Sequence, residues 1–313
     1  MPDGYAVGPR AIGELVGIGV DATRFEGGLE HFIFDQQPEE YGVKIIGEKI
    51  NGTIPSVGAA VETRDADFII DLAQRQAAAG ADWLDVNAGT EPDREPDDLA
   101  WLVDLVQSAV DTRLCLDSPN PEALRHAIKH VNHTPMINSI SMETERLEGV
   151  LPIVAEHGCE VIALTIAQSG VPKNVPERID IAHRLIEKTR EAAVADDHVY
   201  IDPLALAIAT DNNSVHMVRD TIRAIHEAYP EVHFTCGLSN VSFGMPARKF
   251  LNRAFLTLCM EAGLDSAVLD PLNVELRATL YATEVLLGQD RHCRNYTQAY
   301  RKGLFGVSPK VKA

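Results

Sequence analysis

From Lys44 to Leu272 the chain alternates short β-branched or apolar runs with longer stretches of helical period, and it does so eight times. The runs are KIIGEKIN (44–51), DWLDVNAG (82–89), RLCLDS (113–118), MINSIS (136–141), VIALTI (161–166), VYIDPL (199–204), HFTCGLSN (233–240) and SAVLDPL (266–272). Strands separated by helices pair in parallel, because each helix carries the chain back across the sheet before the next strand begins. Eight such units predict an α/β fold, a (β/α)8 barrel of the TIM type, with an open doubly wound sheet as the weaker alternative. The stretch DADFIIDLAQRQAAAGA illustrates the helical part: Phe68, Ile69, Leu72 and Ala73 recur at the spacing of one buried face. The reading divides the chain into an N-terminal extension (1–43), a barrel (44–290) and a C-terminal tail (291–313). The extension is expected to cap the barrel bottom, to contribute to an interface or to pack as an extra segment.

Composition narrows the function classes. A net charge of −18 over 313 residues leaves no clustered Lys and Arg to neutralise phosphates, so no nucleic-acid partner is expected. No basic segment precedes an apolar leader-like stretch and no apolar run approaches a membrane span, so the expectation is a cytoplasmic protein with no membrane partner. Cys115, Cys159, Cys236, Cys259 and Cys293 are scattered without C-x-x-C spacing, which argues against structural zinc and a disulfide framework; no metal site is expected.

Strands of a parallel barrel are buried on both faces and read as continuous apolar runs. Here they break that rule at one end. Glu48 and Asn51, Asp85 and Asn87, Asp117, Asn138 and Ser141, Asp202, Ser239 and Asn240, and Asp270 all stand at or just after the C-terminal end of a run. That end is where barrel enzymes assemble their sites. A single Asp or Asn there is as readily a helix cap, and beside Pro121 the cap is better served by Ser118 or Asn120 than by Asp117. Acids and amides from seven strands, with almost no cations, describe a ligand that is flat, neutral and rich in both donors and acceptors. A phosphorylated ligand would call for Lys and Arg.

The segments IIGEKIN, LDVNAG, CLDS, INSIS, IDPL and GLSNVSFG, in this order and one per strand, resemble the pterin-binding methyltransferases. These comprise methyltetrahydrofolate:corrinoid protein methyltransferases and the folate module of cobalamin-dependent methionine synthase. NNSVHMVRDTIRAIHE and FLNRAFLTLCMEAGLDSAV also resemble helices of that family. The resemblance implies that Asp117, Asn138 and Asp202 bind the amino-pyrimidine edge of a pterin, with Ser239 and Gly237 lining the same pocket. It places Asn240 beside the reactive N5, making Asn240 and Asp202 the expected catalytic residues. It sets Arg248 within reach of the folate's aminobenzoyl-glutamate tail, and Glu48, Asn51, Asp85 and Asn87 in supporting or corrinoid-facing positions.

The implied reaction moves a methyl group between N5 of tetrahydrofolate and the cobalt of a corrinoid, with tetrahydrofolate or 5-methyltetrahydrofolate as substrate. An amine is a poor leaving group, so N5 must gain positive charge, and a group beside it must interact more strongly in the transition state. An Asn amide does this without titrating. The chain lacks the D-x-H-x-x-G pattern with which corrinoid-carrying domains ligate cobalt, so a corrinoid protein is the expected partner. A homodimer is expected by resemblance. Two alternatives are a dihydropteroate synthase-like enzyme, against which EKINGTIP and LDPLN stand where N-x-T-x-D-S-F and S-x-R belong, and a non-catalytic pterin-binding subunit of a methyltransferase complex.

Overall fold

A computed structural model of the chain describes residues 42–306. The expected N-terminal extension lies outside them except for its last two residues, as do residues 307–313 of the tail. Eight strands form one parallel sheet: β1 (Lys44–Asn51), β2 (Trp83–Asn87), β3 (Arg113–Asp117), β4 (Met136–Met142), β5 (Glu160–Ala167), β6 (Val199–Asp202), β7 (His233–Phe234) and β8 (Ser266–Leu269). Neighbours follow chain order from β1 to β7, and β8 pairs with β1. The last seam is closed by a parallel bridge between Gly237 and Val268, where Val268 N–H donates to the Cys236 carbonyl at 3.0 Å. This is the expected (β/α)8 barrel.

The first crossover holds two helices, α1 (Pro55–Thr63) and α2 (Ala66–Ala78). The others hold one each: α3 (Glu95–Ala109), α4 (Pro121–Ala127), α5 (Thr144–His157), α6 (Val175–Glu191), α7 (Ser214–Ala228) and α8 (Arg248–Ala262). After β8 comes α9 (Val274–Leu286), and the segment set apart as a tail contains a further helix, α10 (Arg294–Arg301). Side chains alternating along the strands divide the core in two. Ile45, Leu84, Leu114, Leu116, Ile137 and Val161 pack outward among the helices, whereas Ile46, Trp83, Cys115, Met136, Ile162 and Tyr200 fill the barrel itself. Near the N-terminal ends of the strands, Trp83 meets Tyr200 edge-on with 6.0 Å between centroids, and Tyr200 stacks on His233 at 4.7 Å. The barrel floor is therefore packed, and the polar strand ends lie at the opposite mouth.

Two local expectations are corrected. Phe68 is 37% exposed, because the buried stripe of α2 is Ile69, Leu72, Ala73 and Gln76, one residue round from it. Gln76 belongs there because its Oε1 accepts from Lys49 N–H at 3.1 Å. The run HFTCGLSN yields only two strand residues before Gly237, after which Leu238–Ser242 coil into a short 3-10 helix closed by Ser242 Oγ donating to the Ser239 carbonyl at 3.1 Å. Ser239 and Asn240 thus stand on a helical turn above the strand end. By contrast Asn120 caps α4 as expected, accepting from Glu122 N–H at 3.0 Å with Pro121 at the first helical position. Asp117 is released from capping.

Candidate active site

The β1 and β2 loops meet backbone against backbone. A Cβ on Gly52 would lie 1.8 Å from the Ala88 carbonyl oxygen, and one on Gly89 would lie 2.6 Å from the Gly52 carbonyl carbon. Glycine is required at both places, which explains the sequences NG after β1 and NAG after β2, beginning at Asn51 and Asn87. Gly52 N–H donates to the Asn87 carbonyl at 2.8 Å, tying the two strand ends together. Asn51 uses its own Oδ1 locally, accepting from Thr53 N–H at 3.0 Å and Thr53 Oγ at 2.6 Å, so it shapes this turn.

Across the next strands acids and amides alternate in contact. Asn87 Nδ2 donates to Asp117 Oδ2 at 2.9 Å, and Asn138 Nδ2 donates to Asp85 Oδ1 at 3.2 Å. In both pairs the amide presents its nitrogen to a carboxyl oxygen and so turns its own carbonyl oxygen elsewhere. The acids are not ordinary ones. Burial, with help from neighbouring Asp117, holds the Asp85 carboxyl well above the usual range, although Asn138 and the Cys115 thiol donate to it. Burial raises Asp117 to about 6 against the opposing effects of the Asn87 bond and the Arg146 charge. Burial and then Asp270 raise Glu48 to about 7, opposed by Lys49 and Arg248.

The other half of the ring comes from β6 and the segment after β7. Asp202 is 8% exposed, and its Oδ1 accepts from Leu204 N–H at 2.7 Å. Burial raises it to about 6, while bonds from the Leu204 and Gly237 N–H groups and the Arg178 charge pull it down. Gly237 also makes room for Asn240: a Cβ there would lie 2.8 Å from Asn240 Nδ2. Asn240 is exposed, at the open side of the ring. Arg248, at the start of α8, donates from Nη2 to the Ser239 carbonyl at 2.7 Å and from Nε to Ser242 Oγ at 3.0 Å. It therefore braces the turn that carries Asn240. Since its charge also acts on Glu48, the ring closes from β7 back to β1.

The geometry thus brings Glu48, Asp85, Asn87, Asp117, Asn138, Asp202, Gly237, Ser239, Asn240 and Arg248 to one mouth, with Asn51 in its rim. Three cations escaped the sequence reading. Lys49 pairs with Asp270 at 3.4 Å, Arg146 donates to Ser139 Oγ at 3.3 Å beside Asp117, and Arg178 lies buried behind Asp202. Only Arg178 carried a usable signal, a charge in the apolar stripe of its helix. Among the described residues, no group of three or more His, Cys, Asp or Glu is arranged to hold a metal ion. Chemically, the mouth offers buried anionic acceptors, oriented amides and one exposed neutral amide.

Comparison with known proteins matches residues 47–270 to the family of pterin binding enzymes. A methylcorrinoid:tetrahydrofolate methyltransferase of Eubacterium limosum is 42% identical over 264 residues, which is 84% of this chain and 97% of that protein. A methionine synthase of Mycobacterium leprae is 33% identical over 248 residues, 75% of this chain but 20% of that much longer protein. Among solved structures, dihydropteroate synthase of Yersinia pestis with a pterine-sulfa conjugate aligns with TM-score 0.63 at 17% identity, covering 79% of this chain and 94% of that one. A dihydropteroate synthase of Clostridium difficile aligns at 0.64 and 16% identity, covering 81% and 99%. At these identities the two structures share the fold.

Proposed function

This chain belongs to the pterin binding enzyme family, and from that premise we propose that it is a methyltransferase working between N5 of tetrahydrofolate and the cobalt of a corrinoid carried by a separate protein. The observation that carries the reading is the pairing within the mouth of two carboxylate acceptors, half-buried Asp117 and buried Asp202, with a neutral amide, Asn240, at its exposed side. The near full-length likeness to a methylcorrinoid:tetrahydrofolate methyltransferase supports it.

In this reading Asp117, Asn138 and Asp202 take the amino-pyrimidine edge of the pterin. Asp117 keeps Oδ1 for the ligand while Asn87 holds Oδ2. Asp85 accepts from Asn138 Nδ2 and so turns the Asn138 carbonyl oxygen toward the ring's N–H groups. Charge-assisted bonds of this kind contribute about 1.5 to 3 kcal/mol each. Asn240, set by Gly237 and braced through Arg248, lies beside N5 and answers the charge developing there without titrating. The corrinoid, when docked, supplies the cobalt centre that gives or takes the methyl group. The exposed position of Asn240 fits the approach of so large a group.

The test is a single-turnover reaction of the purified chain with a methylated corrinoid protein and tetrahydrofolate, following the absorbance change as methylcobalt(III) becomes cobalt(I) and N5 of tetrahydrofolate gains the methyl group. Transfer at a rate that saturates with the pterin is expected. Tight pterin binding with no change at cobalt would make the chain a binding subunit instead.

A further inference from the structure

Helix α6 turns an arginine into the core. Arg178 shares the stripe of Ile181, Ala182, Leu185, Ile186 and Thr189 and has no exposed surface. Burying a guanidinium costs several kcal/mol unless anions or acceptors compensate it. Its Nη1 donates to the Pro203 and Leu204 carbonyls, whereas Nε and Nη2 find no acceptor. A hydrophobic residue of similar length would fill the stripe at lower cost, so the charge itself calls for a role.

Both acceptors follow Asp202 directly. Leu204 sits at φ 61°, a left-handed conformation that a Leu rarely adopts, so the Pro203–Leu204 turn needs a fixed hold. The N–H of that same Leu204 binds Asp202 Oδ1 at 2.7 Å. Guanidinium, turn and carboxylate form one chain of contacts. Few other groups face them: Asp211 also acts on Arg178, the Gly237 N–H and the Cys236 thiol lie against Asp202, and Thr165 Oγ donates to the Asp202 backbone carbonyl at 3.1 Å.

We propose that Arg178 is the positioning residue for Asp202, clamping the Pro203–Leu204 turn and supplying the buried positive charge that keeps the carboxylate an anion aimed at the pterin. This rests on the reading of Asp202 as a pterin acceptor. The guanidinium touches no substrate and acts only through its neighbour. Removing its charge raises the pH at which Asp202 takes up a proton, and a protonated Asp202 loses one acceptor position.

Two variants separate charge from clamp. Arg178→Gln keeps a donor for the carbonyls without charge, and Arg178→Lys keeps the charge. The Asp202 titration is read by NMR on carboxyl-labelled aspartate in the ligand-free protein, with Asp202→Asn as assignment control, and tetrahydrofolate affinity is measured by calorimetry from pH 5.5 to 8.5. In Arg178→Gln the midpoint should rise by about one unit, with affinity about fivefold weaker near pH 6 and recovering above pH 8. Arg178→Lys should titrate as the parent does. A folded Arg178→Gln with the parent's midpoint, or an affinity deficit equal at every pH, overturns the proposal. Should Arg178→Gln fail to fold, Arg178→Lys decides, since a shifted midpoint with the charge retained also overturns it. A parent protein that binds no tetrahydrofolate would instead sink the pterin reading, and the NMR titration would still decide what Arg178 does.

Discussion

The side-chain amide of Asn87 donates to Oδ2 of Asp117 at 2.9 Å, so one oxygen of the half-buried carboxylate is occupied by protein and Oδ1 is left to the mouth. The two residues should fail differently. Asp117→Ala removes the anionic acceptor, and tetrahydrofolate affinity should fall by about 10- to 150-fold at pH 8.5, a deficit that persists where the acid is fully ionised and shrinks as pH falls through 6. Asn87→Ala removes a bond that favours the ionised form, so its loss of affinity should be marked near pH 6 and nearly absent at pH 8.5. Calorimetry on both variants across that range checks the pair.

Affinity in the unmodified protein should itself depend on pH. Burial raises both Asp117 and Asp202 to about 6, and in the proposed binding mode each accepts from the pterin when ionised. Tetrahydrofolate binding should therefore weaken as pH falls through 6, by up to about tenfold per unit for each acid. A flat affinity between pH 5 and 8 would remove both carboxylates from the binding edge.

Stability should run the opposite way. Asp117 and Asp202 hold protons more tightly in the folded chain than in the unfolded one, whose carboxylates titrate near about 4. Between roughly pH 4 and 6 the folded state carries the extra protons, so unfolding free energy should decline as pH rises through that window. Asp117→Asn keeps an acceptor for Asn87 without the buried charge. It should be more stable than the parent at pH 7.5, by roughly 1 to 3 kcal/mol, and the gain should vanish at pH 4. Urea titrations at the two pH values give the comparison.

Gly237→Ala tests Asn240 without touching it. The new methyl would lie 2.8 Å from Asn240 Nδ2 and must push the amide aside. Methyl transfer should slow by one to three orders of magnitude, about 1.4 to 4 kcal/mol, while pterin affinity changes little. Equal losses in rate and affinity would make Asn240 a binding residue only.

Arg248→Ala should reveal whether that side chain serves the tail or the turn. Its bonds to Ser239 and Ser242 point to the turn. The rate should then drop about tenfold, and by the same factor for a methyltetrahydropterin that lacks the aminobenzoyl-glutamate tail. A penalty confined to the full folate would assign Arg248 to the tail.

Strand order and the polar strand ends were legible because each follows from spacing within one run: KIIGEKIN and RLCLDS begin where β1 and β3 begin. Phe68 was misplaced because a one-residue rotation of α2 leaves the apolar count almost unchanged, and the deciding residue is the polar Gln76, whose partner Lys49 lies 27 positions away. The 3-10 turn after β7 was hidden for a similar reason. Cys236 and Leu238 are apolar enough to read as strand, whereas past Phe234 the ladder gives way to an isolated bridge from Gly237 to Val268 and then to the 3-10 turn. Within the site, residue types could be read but their pairing could not. That Asn51 spends its oxygen on Thr53 while Asn87 gives its nitrogen to Asp117 depends on geometry that two similar Asn-containing motifs do not encode.

The contact of Gly52 with Ala88 and Gly89 leaves no space for a side chain at either glycine, so the lip of the barrel over β1 and β2 has a fixed height. Lengthening either loop would separate the two backbones and shift Asn51 and Asn87 together. Past β7, by contrast, the turn bearing Asn240 is followed by Phe243 and Phe250, two large apolar side chains that stand exposed.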